Sequence, residues 1–108
     1  MFTSYFAKYK AKNGISIAIK SPNWFDGNTY PLLFPHWNFL KQYFKDKNES
    51  DYIFAYNKEI LSKLNPEEVY ANLNGMVLLC WEKSGKFCHR RIVAEWIETS
   101  LGIEVPEL

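Results

Sequence analysis

Cys88, His89 and Arg90 occupy consecutive positions with Arg91 behind them, so a thiol, an imidazole and two guanidiniums enter one short segment. These are the groups of nucleophilic and anion-binding sites. A thiolate attacks or ligates, an imidazole moves protons near neutrality, and a guanidinium grips phosphate or carboxylate through two parallel hydrogen bonds. The segment follows Met76-Val77-Leu78-Leu79-Cys80-Trp81-Glu82, an apolar run that ends in a second thiol, an indole and a carboxylate. Beyond it, Ile92, Val93, Trp96, Ile97 and Leu101 recur at three- and four-residue intervals, and Gly102 offers a C-terminal cap. The pattern predicts a buried strand, a short turn and an amphipathic helix, with Cys88 at or just before the first helical turn. There the unpaired amides, the positive helix end and the arginines favour a thiolate. Cys88 and Glu82 are therefore the candidate catalytic residues, and His89 and Arg90 the candidate ligand-binding ones.

Each group also has a structural use. Cys88 can pack under the helix as a small apolar side chain, Phe87 can staple the helix entry, and His89 can cap it. Arg90 or Arg91 can pair with Glu82, and Cys80 can belong to the core. Adjacent helical positions point about 100° apart. At most two of Cys88, His89 and Arg90 then face one point, unless the segment is still a loop. A zinc site would need Cys80, Cys88, His89 and the distant His36, and the cysteine spacing fits no zinc knuckle or ribbon, so no metal and no cofactor is expected. The Cys-x-x-x-x-x-Arg loop of thiol phosphatases is missing too, because the sixth residue after Cys88 is Ala94 and after Cys80 is Lys86.

The remaining elements must position these residues. Ile15-Ser16-Ile17-Ala18-Ile19 alternates branched and small side chains, as a strand does, and residues 2 to 6 suit another strand. Lys20, Asn23, Trp24 and Phe25 follow the alternating strand. In open α/β sheets ligands bind beyond the carboxyl ends of strands, so Lys20 and Trp24 join the ligand-binding candidates as the opposite wall of a crevice. A loop continues to Pro35. A helix is predicted from about His36 to Lys47, and a second, capped by Ser50, shows an apolar face of Ile53, Phe54, Ile60, Leu61 and Leu64. Asn65-Pro66-Glu67-Glu68 opens a third helix, which Asn74-Gly75 ends. Ile103-Glu104-Val105 suits a short edge strand. The whole reads as one α/β domain over residues 1–108, a small mixed sheet with helices packed on its faces.

Thirteen basic against twelve acidic residues give a formal charge of +1, without the broad positive footprint of a nonspecific nucleic-acid binder. No apolar run reaches bilayer length and no secretory leader is evident, so a cytoplasmic protein with no membrane partner is expected. The cysteines are then expected to be thiols. Aromatic residues make up 18% of the chain, more than a small core encloses, so some rings should line a groove or the surface.

Leu78-Leu79-Cys80-Trp81-Glu82-Lys83 and Cys88-His89-Arg90 resemble the domain-of-unknown-function family 488, whose signature is a hydrophobic strand ending Cys-x-Glu-Lys and a Cys-His-Arg helix entry. Thr3-Ser4-Tyr5-Phe6, Ile15-Ser16-Ile17 and Pro22-x-Trp24-Phe25-x-Gly27 are similar to its compact members. The resemblance implies a small α/β domain, with Cys80, Glu82, Cys88, His89 and Arg90 matching the motif; it does not supply a reaction. Longer members carry Asp-Val-Arg after an early strand where this chain has Ala18-Ile19-Lys20, so no role of that Asp or Arg is carried over.

The leading expectation is a site for an anionic or nucleotide-like small ligand at the strand-to-helix junction, with thiol-assisted chemistry. A noncatalytic interaction module built on the aromatic loop and first helix is the alternative. A redox switch between Cys80 and Cys88 is the third. Whether the protein is an enzyme, and in what oligomeric state it acts, stays open at this level.

Overall fold

The apolar run at 77–80 becomes the inner strand of a four-stranded sheet. The computed structural model describes residues 1–108. Its strands are β1 (Phe2–Tyr5), β2 (Gly14–Ser16), β3 (Asn28–Thr29) and β4 (Val77–Cys80), and its helices are α1 (Trp37–Asp46), α2 (Glu49–Glu59), α3 (Pro66–Leu73) and α4 (His89–Leu101). The spatial order is β1-β4-β2-β3. Every pairing is parallel, with Phe2 to Tyr5 alongside Val77 to Cys80, Gly14 to Ser16 alongside Val77 to Leu79, and Ile15 and Ser16 alongside Asn28 and Thr29. The α/β class is as expected, and the finer result is that the sheet is parallel throughout. The segment at 103–105 forms no ladder; only a parallel bridge between Thr3 and Glu107 extends the β1 edge.

β4 is flanked on both sides, and all four of its residues are buried. This explains its unbroken apolar sequence, since an inner parallel strand has no wet face. Leu78 joins the larger core with Ile15, Ile17, Tyr56, Val93 and Ile97, to which all four helices contribute. Val77 and Leu79 join a smaller cluster with Phe6, Ala18, Cys80 and Cys88, bordered by Tyr9 and Phe25. No helix is long and apolar enough to cross a membrane.

Local chemistry sets most element ends. Asn65 Oδ1 accepts from the amides of Glu67 (2.8 Å) and Glu68 (3.2 Å), with Pro66 in the first turn, so α3 begins where its sequence signals. Gly102, at φ 68°, ends α4 in the left-handed conformation that glycine adopts at low cost. α2 differs from expectation. Asn48 rather than Ser50 is its cap, accepting from the Asp51 amide at 3.0 Å. Tyr52 and Tyr56 are its buried residues, whereas Ile53 and Phe54 are exposed. The cause is tertiary: Tyr56 donates its hydroxyl to the Leu33 carbonyl at 2.6 Å, which lets a polar ring fill the core with its oxygen satisfied. β2 also ends early. Beyond Ser16 the chain turns on the Ser16 hydroxyl, which accepts from the Ala18 amide (3.3 Å) and the Ser21 hydroxyl (2.8 Å), and so Ile17 to Lys20 become the rim of the sheet.

Leu78→Ala, which empties a fully buried position on the inner strand, is expected to lower unfolding free energy by about 3 kcal/mol in urea titration. A loss well under 1 kcal/mol would contradict the inner position of β4.

Candidate functional site

In a parallel sheet all strands deliver their carboxyl ends to one edge. Here β4 delivers Cys80, Trp81 and Glu82, β2 delivers Ala18, Ile19 and Lys20, and the start of α4 returns Cys88 and His89 to the same edge. These residues, with Pro35, Trp37, Leu40, Tyr43, Phe44, Tyr52 and Phe87, line a cleft of about 270 Å³. Trp81 ties two walls together by donating its indole N–H to the Lys20 carbonyl at 2.7 Å.

Cys80 and Cys88 lie side by side at the buried end of the cleft and are joined as a disulfide, with their α-carbons 7.2 Å apart. This separation lies just beyond the limit of about 7 Å that a bridge spans without backbone movement. Cys88 is the N-cap residue of α4 in an extended conformation, φ −155°, so it is still a loop residue in the sense that matters for direction. It and His89 therefore both reach the cleft, while Arg90 turns away.

His89 is buried, and its Nε2–H donates to the Ile17 carbonyl at 2.7 Å. That bond leaves Nδ1 with its lone pair, 3.9 Å from the Cys88 sulfur. Burial pulls its pKa down to about 4, the Ile17 bond opposes the fall, and the Arg90 charge adds to it. The imidazole is neutral at neutral pH, so it presents a lone pair and not a positive charge.

Arg90 has no exposed surface and is absent from the cleft lining. Its Nε donates to Glu107 Oε1 (3.1 Å), its Nη2 to Glu107 Oε2 (2.7 Å) and its Nη1 to the Cys80 sulfur (3.0 Å). Its influence on the cleft runs through that sulfur. Arg91 holds the Thr3 hydroxyl and the Val105 carbonyl, each at 2.8 Å, so both arginines clasp the C-terminal segment, and the only carboxylate either bonds is Glu107, not Glu82. Glu82 is exposed on the cleft wall, as is Lys20. Trp24 stands elsewhere: its ring meets the edge of Phe6 at 6.5 Å and carries the Lys10 ammonium 4.1 Å above it, beside a separate polar depression.

Of the residues singled out from sequence, Cys88, Glu82, His89 and Lys20 thus meet at one cleft, Arg90 sits behind it, and Trp24 does not reach it. Sequence reasoning missed Glu107. No local pattern marks a lone acid near the chain end as the partner of a helix-start arginine. Trp37 and Tyr43, both on α1, are among the rings that line the cleft. The fourth metal donor considered from sequence, His36, is exposed and held by Glu59 at 2.7 Å.

The family model DUF488-N3a, described as the active DUF488-N3 subclade, matches residues 7–101. No curated protein and no solved structure matches the chain.

Burial of Glu107 disfavours its charge, but hydrogen bonds from Arg90, Ser84 and Thr3, with the Arg90 charge, outweigh this and bring its pKa from 4.5 down to about 2. A depressed carboxylate stabilises the fold fully above its unfolded pKa and loses that contribution as pH falls through the folded one. Thermal denaturation from pH 7 to 2 is therefore expected to show stability from this group draining away between about 4.5 and about 2. Glu107→Gln should cost about 2 kcal/mol at pH 7, with the gap to wild type closing at the acid end. A gap independent of pH would remove the carboxylate's charge from the account.

Proposed function

The chain belongs to the DUF488-N3a family, and from that premise we propose that the cleft at the ends of β2 and β4 takes a flat, nucleotide-like small molecule bearing an anionic group, beside a thiol that assists its chemistry. The observation that carries this reading is the convergence of Cys88 and His89, from the start of α4, on an aromatic-walled cleft. Trp37, Tyr43, Phe44 and Trp81 offer ring faces and edges for stacking a base. Lys20 supplies the one cation in the lining and Glu82 the one carboxylate, so an anion pairs with the first and a proton moves through the second. The volume of about 270 Å³ suits a ligand of base or nucleoside size, near the lower end of ordinary ligand pockets, about 300 Å³. In the reduced protein Arg90 favours a thiolate on Cys80, and the amides opening α4 favour one on Cys88. Cys88, which lines the cleft, is the nucleophile of this reading, and the description of the family as active agrees with such a role. A cytoplasmic setting, where thiols stay reduced, belongs to the same proposal.

A second reading rests on the exposed rings of Trp37, Phe44 and Phe54 on α1 and α2, which suit contact with another protein. Trp37 and Phe44 also line the cleft, and this ties them first to the ligand reading.

Titration of the reduced protein with the four ribonucleoside monophosphates, followed by tryptophan fluorescence, is expected to give saturable quenching with at least one of them. Trp37→Ala should weaken that binding by roughly tenfold, the worth of one good ring contact. Lys20→Ala should weaken the monophosphate more than the parent nucleoside. Absence of saturable binding to any nucleotide or nucleoside would sink the proposal.

A further inference from the structure

Cys80, Cys88 and His89 are all buried, and one donor atom from each lies within 4.8 Å of the other two. We infer that, once the Cys80–Cys88 bridge is reduced, these three side chains hold a zinc ion whose fourth position opens into the cleft. The inference concerns the cluster itself and does not depend on which molecule the cleft accepts.

Three features of the geometry carry it. The first is spacing. Zinc bonds of about 2.3 Å to sulfur and about 2.0 Å to nitrogen, arranged tetrahedrally, place neighbouring donors about 3.5 to 3.8 Å apart. Cys88 Sγ and His89 Nδ1 are 3.9 Å apart. The two cysteine α-carbons, at 7.2 Å, lie beyond the usual span of a disulfide, about 4.4 to 6.8 Å, so once the bridge is reduced the side chains can rotate apart by the sulfur spacing an ion needs without the backbone having to open. The second is orientation. Ligating imidazoles generally donate their other N–H to a carbonyl or carboxylate, and His89 does so from Nε2 to the Ile17 carbonyl at 2.7 Å, which turns the Nδ1 lone pair toward the sulfurs. The third is charge and access. Two thiolates neutralise a divalent cation, Arg90 donates to the Cys80 sulfur from behind, and the three donors line the cleft, where a water, a ligand or Glu82 completes four-coordination.

Two thiolates and an imidazole suit zinc better than magnesium or calcium, which prefer oxygen. Three protein ligands with one open position is the pattern of catalytic rather than structural zinc. The chemistry balances simply. A dithiol reductant gives two electrons and two protons to the bridge, leaving two thiols and an oxidised reductant; zinc binding then releases both thiol protons to solvent. Bridge and metal site are alternative states of the same two sulfurs. Linear spacing argued against zinc because it assumed a fourth donor from the chain and a known cysteine repeat, and neither is required when the fold itself assembles three donors.

The test uses the full chain, reduced with a phosphine that is then removed, and circular dichroism to confirm folding. With zinc chloride added, about one zinc per chain should survive gel filtration, and both cysteines should resist iodoacetamide relative to the same sample treated with a chelator. Cobalt(II) in place of zinc should give thiolate-to-metal charge-transfer absorption. Cys88→Ser and His89→Gln, where folded, should each lose stoichiometric retention. Folded, reduced wild type that retains no zinc and whose cysteines alkylate equally with and without it would overturn the inference, whatever the variants do. Undiminished retention by both folded variants would overturn it as well.

Discussion

Arg90 is wholly buried, and an unpaired guanidinium there would carry a desolvation cost of several kcal/mol. The rest of the site follows from how that cost is met. Glu107 comes from the far end of the chain to bind it through both oxygens, and Ser84 and Thr3 donate to the same carboxylate at 2.6 and 2.5 Å. The C-terminal segment is drawn against β1, where Thr3 N–H donates to the Pro106 carbonyl and Leu108 N–H to the Thr3 carbonyl. One buried charge thereby connects α4, the turn after β4, the edge strand and the chain terminus. It also leaves a single guanidinium nitrogen directed at the Cys80 sulfur.

This arrangement divides labour between the two faces of the helix start. Arg90 works from inside, donating to the Cys80 sulfur without lining the cleft. Cys88 and His89 face the cleft, and the imidazole is neutral because burial outweighs its bond to Ile17. The cleft therefore presents a sulfur bridge and a neutral imidazole at its end and aromatic surface along its walls, with formal charge confined to Lys20 and Glu82 among its lining. The two proposals use Cys88 differently, as a free nucleophile beside an organic ligand or as one of three donors to a metal, so they describe different states of the same sulfur.

Both proposals act through reduced sulfurs, whereas the structure holds the pair bridged. Bridged, neither sulfur is a nucleophile or a ligand; reduced, both are held under an arginine and a helix start. The hydrophobic core around Leu78 and the Arg90–Glu107 pair hold the same elements together independently.

The sequence by itself determined what depends on neighbours along the chain. Asn65-Pro66 starts α3 and Gly102 ends α4 because capping uses a side chain and amides within a few residues. The apolar run at 77–80 declared a buried strand, and the Cys-His-Arg segment declared a helix start. Its separation into cleft-facing Cys88 and His89 and inward Arg90 was legible only as a limit on how many could converge. Tertiary structure decided the rest. Tyr52 and Tyr56 displaced Ile53 and Phe54 from the buried face of α2 because the Leu33 carbonyl could satisfy a buried hydroxyl. β3, two exposed residues long, exists only because Ile15 and Ser16 offer it a partner. Trp24 was drawn to Phe6 and Lys10 and away from the cleft. Glu107, the partner on which the buried charge depends, is separated by 17 residues from Arg90, and no periodicity or local motif carries information across such a gap. A long-range ion pair is specified by where the chain folds, whereas a cap is specified by what stands beside it.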